Sequence, residues 1–133
     1  MLAEKELRKI VRELSHENLV KVDFEGVEVL INRFDLISGK AALSACVYFG
    51  GNFIPQSVRQ SVIQKVLIKG DHINTSLSLN EEEFTVLLNY VGTCSLEEIA
   101  LNHLLEEFCW IANEWRLFLD EQDRNDLVYV RVR

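Results

Sequence analysis

Hydrophobic and polar positions along the chain change period several times, and each change marks an element. Residues 2–14 place Leu2, Leu7, Ile10, Val11 and Leu14 at helical spacing, with Glu4, Lys5, Arg8, Lys9 and Arg12 elsewhere, which predicts an amphipathic helix of three or four turns. Ser15, His16, Glu17 and Asn18 break that period. From Leu19 the period is two: Val20, Val22 and Phe24 alternate with Lys21 and Asp23, and after Glu25-Gly26 the alternation resumes through Val27, Val29 and Ile31. This is a β-hairpin whose Gly26 can take a positive φ in a tight turn. A second turn over Asp35–Lys40 leads to AALSACVYFG, apolar enough to predict a strand buried on both sides, and Gly50-Gly51-Asn52 end it.

Pro55, the single proline, stands where a helix would open. Val58, Val62, Ile63 and Val66 follow at helical spacing until Gly70. So many β-branched residues make a poor isolated helix, and packing must hold it. Ile73, Thr75, Leu77 and Leu79 then alternate with polar residues, and FTVLLNYVG follows the acidic turn Glu81-Glu82-Glu83, so the two strands should pair antiparallel. The longest periodic stretch runs from Ser95 to about Gln122, with Leu101, Leu104, Leu105, Phe108, Ile111, Ala112, Trp115, Phe118 and Leu119 in one stripe. Ser95 and Glu98 stand at capping-box spacing, and the stretch contains neither Gly nor Pro. The tail DLVYVRVR alternates again, so 123–133 reads as a short extra strand or a frayed end.

The predicted order is therefore α-β-β-β-α-β-β-α, an α+β two-layer sandwich in which the first and last helices cover one face of a five-stranded antiparallel sheet. The whole chain, 1–133, is expected to be one domain. The middle helix is left over: Val58, Val62, Ile63, Val66 and Leu67 pack either on their own sheet or on a second copy.

Composition narrows the function without naming one. At 48% hydrophobic and 26% charged residues the chain has material for one core, and its apolar runs fall far short of a membrane span. A net charge of −7 with no Lys/Arg cluster argues against nucleic acid and for a basic partner. The charged N-terminus does not resemble a signal peptide, so a cytosolic chain is expected. Cys46, Cys94 and Cys109 lack CxxC spacing and read as reduced thiols, Cys46 and Cys109 as small core hydrophobes.

Candidate chemistry is thin. His103 and Cys109, with Cys94 the nearest approach to a metal set, point roughly 120° apart on a helix. A thiol–imidazole pair of Cys46 or Cys94 with His72 lacks an orienting acid and an oxyanion loop. The Glu81–Glu83 run lacks the alternating ligands of a calcium loop. No enzyme activity, metal or cofactor is expected. Trp110, at the edge of the long stripe, is a candidate for contact with a partner or with the tail.

The element order, the small acidic chain, Phe53-Ile54-Pro55 before the middle helix, the hairpin INTSLSLNEEEFTVLLNYV and above all LEEFCWIANEWRLFL resemble class I type III secretion chaperones over nearly the whole length. The middle helix departs from that family in reading Lys65-Val66-Leu67-Ile68-Lys69, and the DLVYVRVR tail is extra. The resemblance implies a homodimer of the bacterial cytoplasm, without enzymatic activity, that holds the N-terminal segment of a secreted effector in extended form. Candidate partner-binding residues are then Leu7, Val11, Val22, Phe24, Val29 and Phe34, and candidate dimer-interface residues Val58, Val62, Ile63, Val66 and Leu67. The alternative is a small α+β ligand-binding or enzymatic domain whose site is built from residues with no recognisable motif.

Overall fold

The structure, a computed structural model, describes residues 4–35, 39–63 and 73–132, with side chains over 5–33, 39–63 and 73–124. The elements are α1 (Glu4–His16), β1 (Leu19–Phe24), β2 (Val27–Asp35), β3 (Lys40–Phe49), α2 (Gln56–Ile63), β4 (Thr75–Asn80), β5 (Thr85–Thr93) and α3 (Glu98–Val132). All strand pairs are antiparallel and the sheet order is β1-β2-β3-β5-β4. The expected α+β class and element order are those of the molecule.

Local chemistry explains the hairpins. Glu25 at φ 51° and Gly26 at φ 85° link strands that pair from Phe24–Val27 outward, the two-residue turn with positive φ at both positions that suits strand twist. The Gly26 amide donates to Asp23 Oδ1 at 3.1 Å, closing the turn. Between β4 and β5, Asn80 Oδ1 accepts from the Glu82 and Glu83 amides, both at 3.2 Å, so the acidic run is a turn held by an asparagine.

One sheet face is packed. Val20, Val22, Phe24, Val27, Val29, Ile31, Ala41, Leu43, Ala45, Val47, Val86 and Leu88 are all buried in a single core. The helices deliver its other half: α3 packs on β3, β1 and β2, and α1 on β1 and α3. Leu101, Leu105, Phe108, Ile111, Ala112, Trp115 and Leu119 are buried, while Leu104 and Phe118 are half-buried at the margins of the stripe. Trp115 and Phe118 meet edge to face at 5.7 Å between ring centroids.

Three expectations are corrected. β3 is buried at alternate positions from Ala41 to Val47, with Tyr48 buried as well at the bulge, so it faces the core on one side and the open face of the sheet on the other, and Cys46 falls on the open side. The segment 123–132 continues α3 as helix rather than adding a strand. An isolated strand there would leave its amides and carbonyls unpaired, whereas a continued helix pairs each with a residue four away. The start of α3 also differs from a capping box: the Glu97 amide donates to Ser95 Oγ at 3.1 Å, and the Glu97 carbonyl accepts the Leu101 amide at 2.9 Å.

Among the described residues α2 ends at Ile63, so the expected stretch through Gly70, with Val66 and Leu67, lies outside them. The helix packs inside its own chain, on α3 and β4. Ser57 Oγ donates to the Gln122 carbonyl at 3.1 Å, and Arg59 forks onto the Glu81 carboxylate of the β4–β5 turn, with Nη2 to Oε2 at 3.0 Å. That hydrogen-bonded pair raises the Arg59 pKa and lowers that of Glu81.

Candidate functional site

The residues expected to grip a partner are largely inside. Leu7, Val22, Phe24 and Val29 are buried in the core between the sheet and the helices, Val11 is half-buried, and the side chain of Phe34 lies outside the described residues. The physical reason is economical use of apolar surface: α1 has one apolar face, and β1 and α3 beneath it take up its Leu7, Ile10 and Leu14. Four of the six expected contact residues are thus core residues of the folded chain.

The expected dimer residues divide. Val58 is fully buried against its own chain, Val62 is half-buried, and Ile63 is exposed at 68%. Two apolar groups that periodicity does not single out join Ile63 at the surface: Phe49 at the end of β3 and Phe53 in the loop after it, exposed at 69% and 59%. The signal for them was in the sequence, since both flank Gly50-Gly51-Asn52, a turn that interrupts burial. Trp110 is exposed, in keeping with its position at the stripe edge.

The sheet presents two further surfaces. One outer edge is β1, which pairs only with β2 among the described residues, and the other is β4, which pairs with β5. A groove of about 280 Å³ runs between α1 and β1, lined by Glu6, Lys9, Ile10, Glu13, Lys21, Val22 and Asp23. The open face is mixed in polarity: Leu30 pairs with Ser44, Ser44 with Asn89 and Leu87 with Cys46, and Asn89 Nδ2 donates to Ser78 Oγ at 2.9 Å. Arg116 reaches from α3 to donate from Nε and Nη2 to the Cys46 carbonyl at 3.3 and 3.2 Å, where β3 bulges between Cys46 and Tyr48.

Among the described residues the thiols do not assemble a site, and His72, the imidazole expected to pair with Cys46 or Cys94, lies outside them. Cys94 and Cys109 are buried, and burial raises both pKa values, that of Cys109 to about 12. Cys46 is half-exposed with its Sγ donating to the Tyr48 carbonyl at 3.3 Å. His103 is exposed on α3, away from the buried thiols, and no three His, Cys, Asp or Glu side chains among the described residues come together as metal ligands. No described helix is long and apolar enough to cross a membrane. No model of a known protein family matches the chain, and no curated protein does.

Proposed function

We propose that the chain is a binding protein resembling a type III secretion chaperone, which holds the N-terminal segment of a secreted effector in extended form in the bacterial cytoplasm and performs no catalysis. The observation that carries this reading is the edge of β1 beside the α1–β1 groove. An edge strand offers a row of backbone donors and acceptors, and an extended segment added there gains main-chain bonds that tolerate many sequences while the groove takes alternate side chains. The element order supports the same reading, because it is the succession on which the resemblance rests.

The dimer in this reading forms around the outward side of α2. Ile63 is its strongest described anchor, with Val62 beside it, and the buried Val58 serves the fold instead. Light scattering on the purified chain is expected to give twice the 15.4 kDa chain mass, and Ile63→Asp is expected to return it to one chain by burying an unpaired charge. A wild-type mass of one chain would contradict the homodimer. A variant that stays at two chains would move the interface away from α2.

A further inference from the structure

Helix α1 sorts its charges in a way the linear sequence hides. Lys5, Arg8, Lys9 and Arg12 fall within eight residues, interrupted by Glu6 and three apolar residues, and the order along the chain does not show which of them share a side. At 100° per residue Lys5, Lys9 and Arg12 fall within an arc of about 60° on one side of the helix, opposite the buried Leu7, Ile10 and Leu14. All three are exposed and none makes an ion pair among the described residues. Arg8 flanks the strip and reaches Glu98 of α3, Nε to Oε1 at 3.6 Å. These four side chains and Glu6 line one depression, which adjoins the α1–β1 groove through Lys9 and Glu6; the groove itself adds Lys21 but also Glu13 and Asp23, so the cationic surface is the strip and not the groove.

From this juxtaposition we infer that the strip recognises an extended acidic polypeptide segment, one with Asp or Glu at alternating positions. The inference rests on the peptide-binding reading above and names the chemistry of the segment. Along the helix axis the three cations stand at roughly 0, 6 and 10.5 Å. Alternate side chains of an extended chain repeat every ~6.7 Å on one side, so successive carboxylates meet successive cations through flexible Lys and Arg stems.

Charge magnitude selects a short peptide over a long polyanion. The chain as a whole carries −7, but at physiological ionic strength charges beyond about 8 Å are largely screened. A short acidic segment lying on the strip feels the local cations. A nucleic acid duplex or an anionic bilayer extends past the strip and meets the acidic remainder of the surface. A bilayer is further disfavoured because the apolar side of α1, which an interfacial helix would insert, is spent on the core.

The test compares two short synthetic peptides, one with Asp and Glu alternating with apolar residues and one with Asn and Gln in their place, by fluorescence anisotropy. The acidic peptide is expected to bind the wild-type chain more tightly, and to weaken as salt rises. The combined variant Lys5→Gln, Lys9→Gln, Arg12→Gln is expected to lose roughly tenfold in affinity, the sum of three modest exposed ion pairs. Lys40→Gln, an exposed cation on β3, is expected to bind as wild type does. Circular dichroism should show the triple variant folded, and the salt dependence of the wild type stands as a second readout that needs no variant. Acidic and neutral peptides binding equally, or a triple variant with undiminished affinity, would overturn the inference while leaving peptide binding intact. A DNA duplex or an anionic phosphatidylserine vesicle binding as tightly through the same three residues would overturn it in favour of a general polyanion surface. If neither peptide binds, both this inference and the reading beneath it fail.

Discussion

Phe108→Ala is expected to lower the stability of the fold by about 4 kcal/mol, near the upper end of what a single core truncation costs. Phe108 has no exposed surface and lies on α3, the helix that packs across β1, β2 and β3. Removing the ring forfeits its transfer free energy and leaves a cavity, because α3 and the sheet are each rigid and cannot close on one another. Against a typical total of roughly 5–15 kcal/mol for a domain, that loss should displace the urea midpoint by a large fraction of its value. Trp110→Ala provides the contrast two residues away on the same helix: its side chain is about half exposed, and its truncation should cost about 0.5 kcal/mol or less. Similar losses at the two positions, measured at one protein concentration, would show that α3 does not lie on the sheet by this face.

The second large effect belongs to a charge. Arg33 on β2 is only 7% exposed, its Nη1 donates to the Leu14 carbonyl at 2.7 Å, and its backbone amide donates to the Asn18 carbonyl at 2.7 Å. Leu14 is in the last turn of α1, where carbonyls lack intrahelical partners and the helix dipole favours a cation. One guanidinium therefore ties the end of α1 to the sheet. The Nε of the same group has no partner among the described residues, so the arrangement is not optimal. Arg33→Ala is expected to cost about 2–3 kcal/mol, from a charge-assisted hydrogen bond lost and a carbonyl left unpaired. Arg33→Met keeps the apolar stem and removes the buried charge, so it should recover about half of that loss. Chemical denaturation of both variants decides the matter: an Arg33→Ala cost under about 0.5 kcal/mol would mean that the side chain does not anchor α1.

Most of the fold is legible in the sequence because its elements have clean periods. Val20 to Ile31 alternate around Glu25-Gly26 and form the β1–β2 hairpin, and Leu101 to Leu119 mark the buried stripe of α3. Local rules fail where the decision is not local. The period-two tail 123–132 is helical, since α3 already supplies its backbone partners. Cys46 stands among apolar neighbours, yet the pleat alone decides which of them turns away from the helices.

The candidate site is less legible for the same reason. Leu7, Val22, Phe24 and Val29 are apolar whether they face a partner or the core, and pattern cannot distinguish the two. Val58 likewise finds its cover within the chain, on the side of α2 that packs against α3 and β4. Phe49 and Phe53 are exposed because the Gly50-Gly51 turn carries the chain away from the core, which no periodicity announces. The basic strip of α1 emerges only when the helix turns Lys5, Lys9 and Arg12 to one side, away from Glu6 and the apolar residues between them.

Peptide capture at the sheet edge is tested most directly by hydrogen–deuterium exchange with a peptide chosen by the protein itself. Random peptides displayed on phage are selected on the purified chain, and the best binder is added at saturation while amide exchange is followed. Peptides are expected to be enriched, and exchange to slow along β1, Leu19–Phe24, and along the adjoining face of α1, as an added strand pairs with the open edge. No enrichment above background, or protection confined to residues away from β1 and α1, would contradict a binding role for this edge.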